Sequence, residues 1–415
     1  MSFAELSLHP SLLSRLAELD YQQATPIQLS AIPVILSGQD VMAGAQTGTG
    51  KTAAFALPIL HAILSQQALN PHNNFSAIRA LVLVPTRELA QQVHHSIEQY
   101  AHGSSITSVM VYGGVSIGAQ IRQLAGGSDI LVATPGRLLD LLRKRALSLS
   151  QLTHLVFDEA DRMLDMGFKD EIIDVLKQVP KTRQTLLFSA TLDDRIFSFS
   201  KRLLQSPKVI EVAKRNTTAA SIVERVYNLD SNRKCAALCH LIKAEKWQQT
   251  LIFSRTKQGA DALVKQMKHE GVSAEVFHAD LSQALREQVL SQFKNGELTA
   301  LVATDVAARG LDINELNYVV NMELPFQVED YVHRIGRTGR AGNQGQAITF
   351  LSVDDEPILI KLEAFLDRRL PQQWLTGFEP DLTQLAVTTR KTTKSALKQQ
   401  ARKKALGQRP SRNKK

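Results

Sequence analysis

The stretch that most restricts what this chain can fold into is Ala45-Gln46-Thr47-Gly48-Thr49-Gly50-Lys51-Thr52. It follows the apolar run Asp40 to Ala43 and precedes the helix-like run Ala53 to Leu60, the strand–loop–helix setting that a phosphate-binding loop requires. Gly48 and Gly50 let the backbone wrap a phosphate chain, with successive N–H groups and the helix start aimed at the anions. Lys51 adds positive charge for the terminal phosphates, and Thr52 offers its hydroxyl to a Mg2+ ion. The general pattern has glycine at the first position, where this chain has Ala45. Alone, the loop fits any ATP- or GTP-using machine, and a ligand-free Gly-rich turn is the bland alternative that its context disfavours.

A chain of 415 residues has room for two or three domains, and 44% apolar with 21% charged residues is the balance of a soluble globular protein. The formal charge of +9 is unevenly placed: Arg390 to Lys415 carries eleven basic residues and no acidic one, leaving 38 basic against 40 acidic residues elsewhere. That basic segment is poor in aromatics and cannot bury enough apolar surface to fold, so a disordered tail is expected over 390–415. Cys235 and Cys239, the two cysteines, support neither a disulfide framework nor a zinc site and read as free thiols in a reducing compartment. No signal-peptide pattern and no run of about 18 apolar residues is present, so a cytoplasmic protein without a membrane segment is expected.

Two short amphipathic helices are expected over Pro10 to Leu19 and Ile27 to Leu36. Strand-like runs then alternate with helical segments at Arg79–Val84, Thr107–Tyr112, Asp129–Ala133, His154–Phe157 and Thr185–Phe188. After a polar lapse between Pro207 and Ser221 the alternation resumes at Gln249–Phe253, Ser273–Phe277, Thr299–Val302, Tyr318–Asn321 and Gln346–Leu351. This predicts two α/β lobes around mostly parallel sheets, with the phosphate loop in the first only.

Asp158, Glu159, Ala160 and Asp161 follow the apolar run His154 to Phe157. A carboxylate at the end of a strand beside the phosphate loop is where Mg2+ needs a second partner, which assigns Asp158 with Thr52 to the metal; the next carboxylate, Glu159, orients and deprotonates the attacking water. A solvated acidic turn is the plain alternative. Spelled Asp-Glu-Ala-Asp, this stretch resembles the DEAD-box ATP-dependent RNA helicases, whose phosphate loop also begins with alanine. Thr25-Pro26-Ile27-Gln28, Pro85-Thr86-Arg87-Glu88-Leu89-Ala90, Gly113-Gly114, Thr134-Pro135-Gly136-Arg137, Ser189-Ala190-Thr191, Thr304 to Asp312 and His333 to Arg340 extend the resemblance, which runs from Phe3 to about Leu351. Glu211-Val212-Ala213, Asn216-Thr217 and Trp247-Gln248-Gln249 look closest to the bacterial RhlE-type branch.

The resemblance implies two tandem RecA-like domains. It places a Q-motif region at 1–29, an ATP-binding domain at 30–208, a linker at 209–221 and a C-terminal helicase domain at 222–380. Phe3 and Gln28 would meet adenine, with Ala45, Thr47, Gly48, Thr49, Gly50, Lys51, Thr52, Asp158 and Asp312 completing the nucleotide site. If His333 to Arg340 were helical, His333, Arg337 and Arg340 would share one face while Arg334 pointed elsewhere, and Gly336 and Gly339 weaken the last turn. The family makes Arg337 and Arg340 the fingers that reach the phosphates, catalytic together with Glu159; a basic surface patch is the alternative. Asp161, Ser189, Thr191 and His333 would couple hydrolysis to strand separation.

RNA contacts are expected at Thr86, Arg87, Gly114, Thr134 and Arg137 in the first lobe and at Gln283, Arg286 and Thr304 in the second. Hydroxyls, glycines and arginines grip phosphate and sugar, so sequence-independent binding is expected. ATP and Mg2+ are the cofactors implied, and RNA the partner, with ribosomal precursors or RNA-degradation machinery as settings and a monomer as the working form. An ATP-gated RNA clamp that closes without strand-separating turnover is the competing function, and the basic tail is either an RNA tether or a solubility aid.

Overall fold

The predicted alternation resolves into two seven-stranded sheets whose pairings are all parallel. They are seen in a computed structural model that describes residues 2–45, 49–69, 77–212, 222–308, 316–339 and 344–381. The first sheet holds β1 (Val41–Gly44), β2 (Ala80–Leu83), β3 (Ser108–Val111), β4 (Ile130–Ala133), β5 (His154–Phe157), β6 (Gln184–Ser189) and β7 (Lys208–Glu211), in the order β3-β4-β2-β5-β6-β1-β7. The second holds β8 (Ile222–Asn228), β9 (Thr250–Phe253), β10 (Ala274–Phe277), β11 (Ala300–Ala303), β12 (Tyr318–Asn321), β13 (Gly345–Leu351) and β14 (Gln372–Gln373), in the order β10-β11-β9-β12-β13-β8-β14.

The central strands are continuous apolar runs because helices cover both faces. Alternate residues therefore enter different cores: Ala80 and Val82 of β2 face one, Leu81 and Leu83 the other, and Ile252 of β9 parts from Leu251 and Phe253 in the same way. In the first sheet β5, β6 and β1 are neighbours, so the segments leaving their C-terminal ends converge: Ala45 after β1, Asp158 after β5 and Ser189 at the end of β6. That edge is where open parallel sheets hold ligands.

The leading helices form at Pro10–Glu18 and Pro26–Leu36, as expected. The span read as linker, 209–221, is shorter at its front: Lys208–Glu211 pairs with β1 as an edge strand, only Ile210 of it being buried. The strands β8 and β14 were also not anticipated. The linker's remainder from residue 213 and the basic tail 390–415 lie outside the described residues. Among the described residues no helix is long and apolar enough to cross a membrane.

Candidate active site

Of the phosphate loop, Thr47 and Gly48 lie outside the described residues, as do Asp312 and Arg340. Ala45 is buried and its N–H donates to the Ser189 carbonyl at 3.0 Å, pinning the loop to the end of β6. Thr49 and Thr52 are half-buried. Gly50 has a φ of 91°, a conformation glycine adopts without strain, and a Cβ there would collide with the Gln28 amide. Lys51 opens the helix Lys51–Leu69, and its buried Nζ donates to the Ala45 carbonyl at 2.9 Å, inside the loop it would share with phosphate.

Gln28 Oε1 accepts from the Thr25 N–H at 2.8 Å and Nε2 donates to the Gly50 carbonyl at 3.1 Å. The expected adenine reader is thus bonded to the phosphate loop, and each end of its amide retains a hydrogen-bonding position. Phe3 is 4% exposed beside the apolar core and meets Tyr21 edge-on at a centroid distance of 6.3 Å.

Asp158 is 2% exposed, and burial pushes its carboxyl up to about 6, with Lys51 opposing and Glu159 adding to the shift. Glu159 sits at φ 55° and ψ 52°, a left-handed conformation that costs a non-glycine residue about 1–2 kcal/mol. Among the described residues its buried Oε2 has no hydrogen-bond partner, which an acceptor tolerates only at a cost of about 1–3 kcal/mol. Strain and an unsatisfied oxygen on one residue mark a group held for chemistry. Asp161 Oδ2 accepts from the Thr191 N–H and hydroxyl at 3.2 and 3.3 Å, so the acidic stretch is bonded to the Ser189–Thr191 turn. Burial would raise the Asp161 carboxyl, yet Arg162, His333 and Lys51 together hold it below its ordinary value. Ser189 is fully buried, with its Oγ unpartnered.

From this cluster the contacts pass to the second lobe. Arg162 donates to Asp330 and to His333 Nδ1, both on the helix Glu329–Ile335. A guanidinium only donates, so Nδ1 accepts and the ring is neutral with its proton on Nε2. Burial and then Arg162 lower the His333 pKa below 6.5, consistent with that form. The helix ends at Ile335 with Gly336 as cap, so Arg337 follows in a turn, 5% exposed, and the shared helical face does not extend to it. Arg334 points away, as expected: it grips Asp305 through Nε and Nη2 at 2.6 and 2.7 Å and lies over the Phe253 ring.

A second set of cross-lobe contacts gathers most of the expected RNA residues. Thr86 caps the helix Arg87–Ala101, accepting from the Leu89 N–H at 3.2 Å. Arg87 Nη1 donates to Gln283 Oε1 at 3.2 Å, and Glu88 pairs with Arg286 at 2.7 Å, both sides buried. Gly114 has φ 84°, and a Cβ there would strike the Arg87 guanidinium. Thr134 starts the helix Pro135–Arg143, and Arg137 donates to Gln120 Oε1 at 2.6 Å and to the Val115 carbonyl at 2.8 Å. Thr304 follows β11, its N–H on the Phe277 carbonyl at 3.4 Å. Sequence reasoning gave no role to Glu88, Arg162 or Asp330. The first two stand inside or beside quoted motifs, which was the available signal; Asp330 had none.

Among the described residues no group of three or more His, Cys, Asp and Glu side chains could hold a metal alone. Thr52 and Asp158 are hard oxygen donors, and the buried Asp158 carboxylate is one that a cation would stabilise; the pair suits Mg2+ only if phosphate oxygens and water supply the remaining ligands.

Residues 25–198 match the DEAD/DEAH box helicase family and residues 233–342 the helicase conserved C-terminal domain. The chain is 42% identical over 390 residues to the ATP-dependent RNA helicase CshA of Listeria monocytogenes, covering 94% of this chain and 74% of that one. The fold is similar to that of Saccharomyces cerevisiae Dbp5 bound to RNA and ADP BeF3, with TM-score 0.78, 30% identity, and coverage of 91% and 95%. A DEAD box protein from the hyperthermophile Methanococcus jannaschii is closer in sequence, 35%, yet scores 0.52 with coverage of 90% and 99%.

Proposed function

We propose, from the premise that this chain belongs to the DEAD-box ATP-dependent RNA helicases, that Glu159 orients the attacking water while Arg337 and Arg340 meet the phosphates from the second lobe. The protein is an ATP-dependent RNA helicase, whose RNA-stimulated ATP hydrolysis drives local separation of RNA strands or remodelling of ribonucleoproteins. The observation that carries the mechanism is the bridge from Arg162 to Asp330 and His333, because there the residue next to the acidic stretch is itself bonded to the second lobe. Closure and the assembly of the hydrolytic site are then a single event.

Lys51 and the loop N–H groups bind the phosphates, Gln28 reads adenine, and Glu159 takes the proton of the attacking water. Thr52 and Asp158 would hold Mg2+, which when bound neutralises charge on the phosphates. Closing the lobes excludes water and brings Arg337 to the phosphates; RNA lying across both lobes favours that state through its sugar–phosphate contacts. The ATP-binding domain spans 30–208 and the C-terminal domain 222–380. A cytoplasmic monomer of the RhlE-like branch, acting on ribosomal precursors or with RNA-degradation machinery, completes the reading.

Glu159→Gln tests it: ATP and RNA binding should persist while turnover falls at least about 10²-fold, and normal hydrolysis by this variant would end the water assignment. The basic segment 390–415 is proposed as an RNA tether. Its deletion should flatten the salt dependence of RNA binding, by about 0.7 in log–log slope per phosphate released, and an unchanged slope removes the tether.

A further inference from the structure

We propose that Gln120 is the positioning residue for Arg137, locking the Gly113-Gly114 turn and the helix Pro135–Arg143 into one RNA-facing frame. The inference rests on the reading that Arg137 contacts RNA, and it assigns a role to a residue outside every motif quoted above. Gln120 lies in the helix Ile117–Ala125 and is 4% exposed. Its Nε2 donates to the Tyr112 carbonyl at 3.2 Å, immediately before Gly113, and its Oε1 accepts from Arg137 Nη1 at 2.6 Å.

Both partners are one-sided. A guanidinium only donates and a carbonyl only accepts, so a single orientation of the amide satisfies both bonds. A carboxylate in its place would face the Tyr112 carbonyl without a proton to give, and an apolar side chain would take the donor from that part-buried carbonyl and the acceptor from one edge of the guanidinium. The other fixed edge of Arg137 donates to the Val115 carbonyl, on the far side of Gly114. Gln120 and Val115 therefore hold the Arg137 fork at two points, leaving its remaining N–H groups to turn outward. They also fix Gly114, against which the Arg87 guanidinium packs, and Arg87 in turn reaches Gln283 of the second lobe. One continuous set of contacts thus runs from Arg137 to the opposite lobe, with a buried amide at its origin.

Arg137 itself is half-buried, and an arginine presented to phosphate from a flexible stem loses rotamer freedom on binding. A fork already held in place loses less, so the predicted effect of Gln120 is on RNA affinity and not on the chemical step.

The experiment uses the full chain with Gln120→Met, Gln120→Glu, Arg137→Ala and the double variant, assayed with a single-stranded polyuridine RNA. RNA-stimulated ATPase is measured against RNA concentration, and binding of a fluorescent ATP analogue is measured without RNA. Arg137→Ala should raise half-saturating RNA about tenfold and reduce the salt slope by about 0.7, the loss of one phosphate contact. Gln120→Met should raise it about fivefold to tenfold, with kcat at saturating RNA and ATP-analogue affinity within about twofold of wild type. Gln120→Glu, which keeps the bond to Arg137 and loses only the other, should fall between wild type and Gln120→Met. In the double variant the two effects should not add, because Gln120 acts through Arg137.

Wild-type half-saturation in Arg137→Ala would show that the RNA contact itself is misassigned. A clear Arg137→Ala effect with none from Gln120→Met, or additive effects in the double variant, would overturn the positioning role alone. A variant with lowered kcat and lowered ATP-analogue affinity would also overturn it, since that is the signature of a damaged lobe.

Discussion

The two sheets have one strand order: each strand of the second occupies the place of the strand seven earlier in the first. Both therefore offer the same ligand-holding edge, and the difference lies in what stands there. After β1 the chain forms the phosphate loop, and Lys51 opens the following helix. After β8 the next helix opens on Lys234, also buried, but its Nζ donates to the Met322 and Phe350 carbonyls and pairs with Asp355 at 2.9 Å. In the second lobe an internal carboxylate occupies the lysine, and Arg255 closes on the same Asp355 at 2.5 Å. Topology supplies a place for an anion twice; the lobe whose lysine makes no ion pair among the described residues is the one that keeps it for a ligand.

The sharpest way to break this comparison is to remove each lysine. Lys51→Ala should abolish ATP binding and hydrolysis, whereas Lys234→Ala should leave nucleotide affinity unchanged and destabilise the second lobe by about 1–3 kcal/mol, because the Met322 and Phe350 carbonyls lose their donor while Arg255 still pairs with Asp355. Titration with labelled nucleotide and urea unfolding separate the two outcomes, and a Lys234→Ala chain deficient in ATP binding would refute the division of labour.

A smaller effect comes from the arginine the second lobe contributes. Arg337→Ala should lower kcat by about 10³-fold with ATP affinity little changed, in line with what such fingers supply. Steady-state kinetics with saturating RNA would show it. If the isolated first lobe hydrolysed ATP as fast as the whole chain, the second lobe's part in the chemistry would be disproved.

The mildest test concerns the contact that joins the lobes. His333 is held neutral by burial and by Arg162, below its ordinary 6.5. Well above 6.5 the ring is neutral in open and closed forms alike, so closure is unaffected. As pH falls through 6.5 toward the lowered value the open form takes up the proton first, and closure is progressively disfavoured. Energy transfer between dyes on the two lobes, with ATP and RNA present, should report a several-fold loss of closed molecules between about pH 7.5 and 5.5. His333→Asn should flatten that profile.

Much of the fold could be read directly because the buried strands are unbroken apolar runs and their helices amphipathic. The strands that escaped are edge or near-edge ones. In Lys208–Glu211 a single residue is buried, Ile222–Asn228 mixes charge with apolar residues, and Gln372–Gln373 has no apolar residue. At the site, the phosphate loop is legible as a local motif, since its residues are neighbours in the chain. The lobe-joining contacts were hidden for the opposite reason: Arg162 and Asp330 stand 168 positions apart, and only folding makes them partners. That Phe3 packs against Tyr21 was likewise hidden, because the two are partners only after folding.

The backbone of Glu159 has a practical consequence. A residue kept in a posture suited to glycine, with one oxygen denied any partner, is a place where durability and usefulness pull apart. Selecting hardier versions of this protein by melting temperature alone would favour replacing that glutamate early, and the sturdiest survivors would be the ones that no longer turn over.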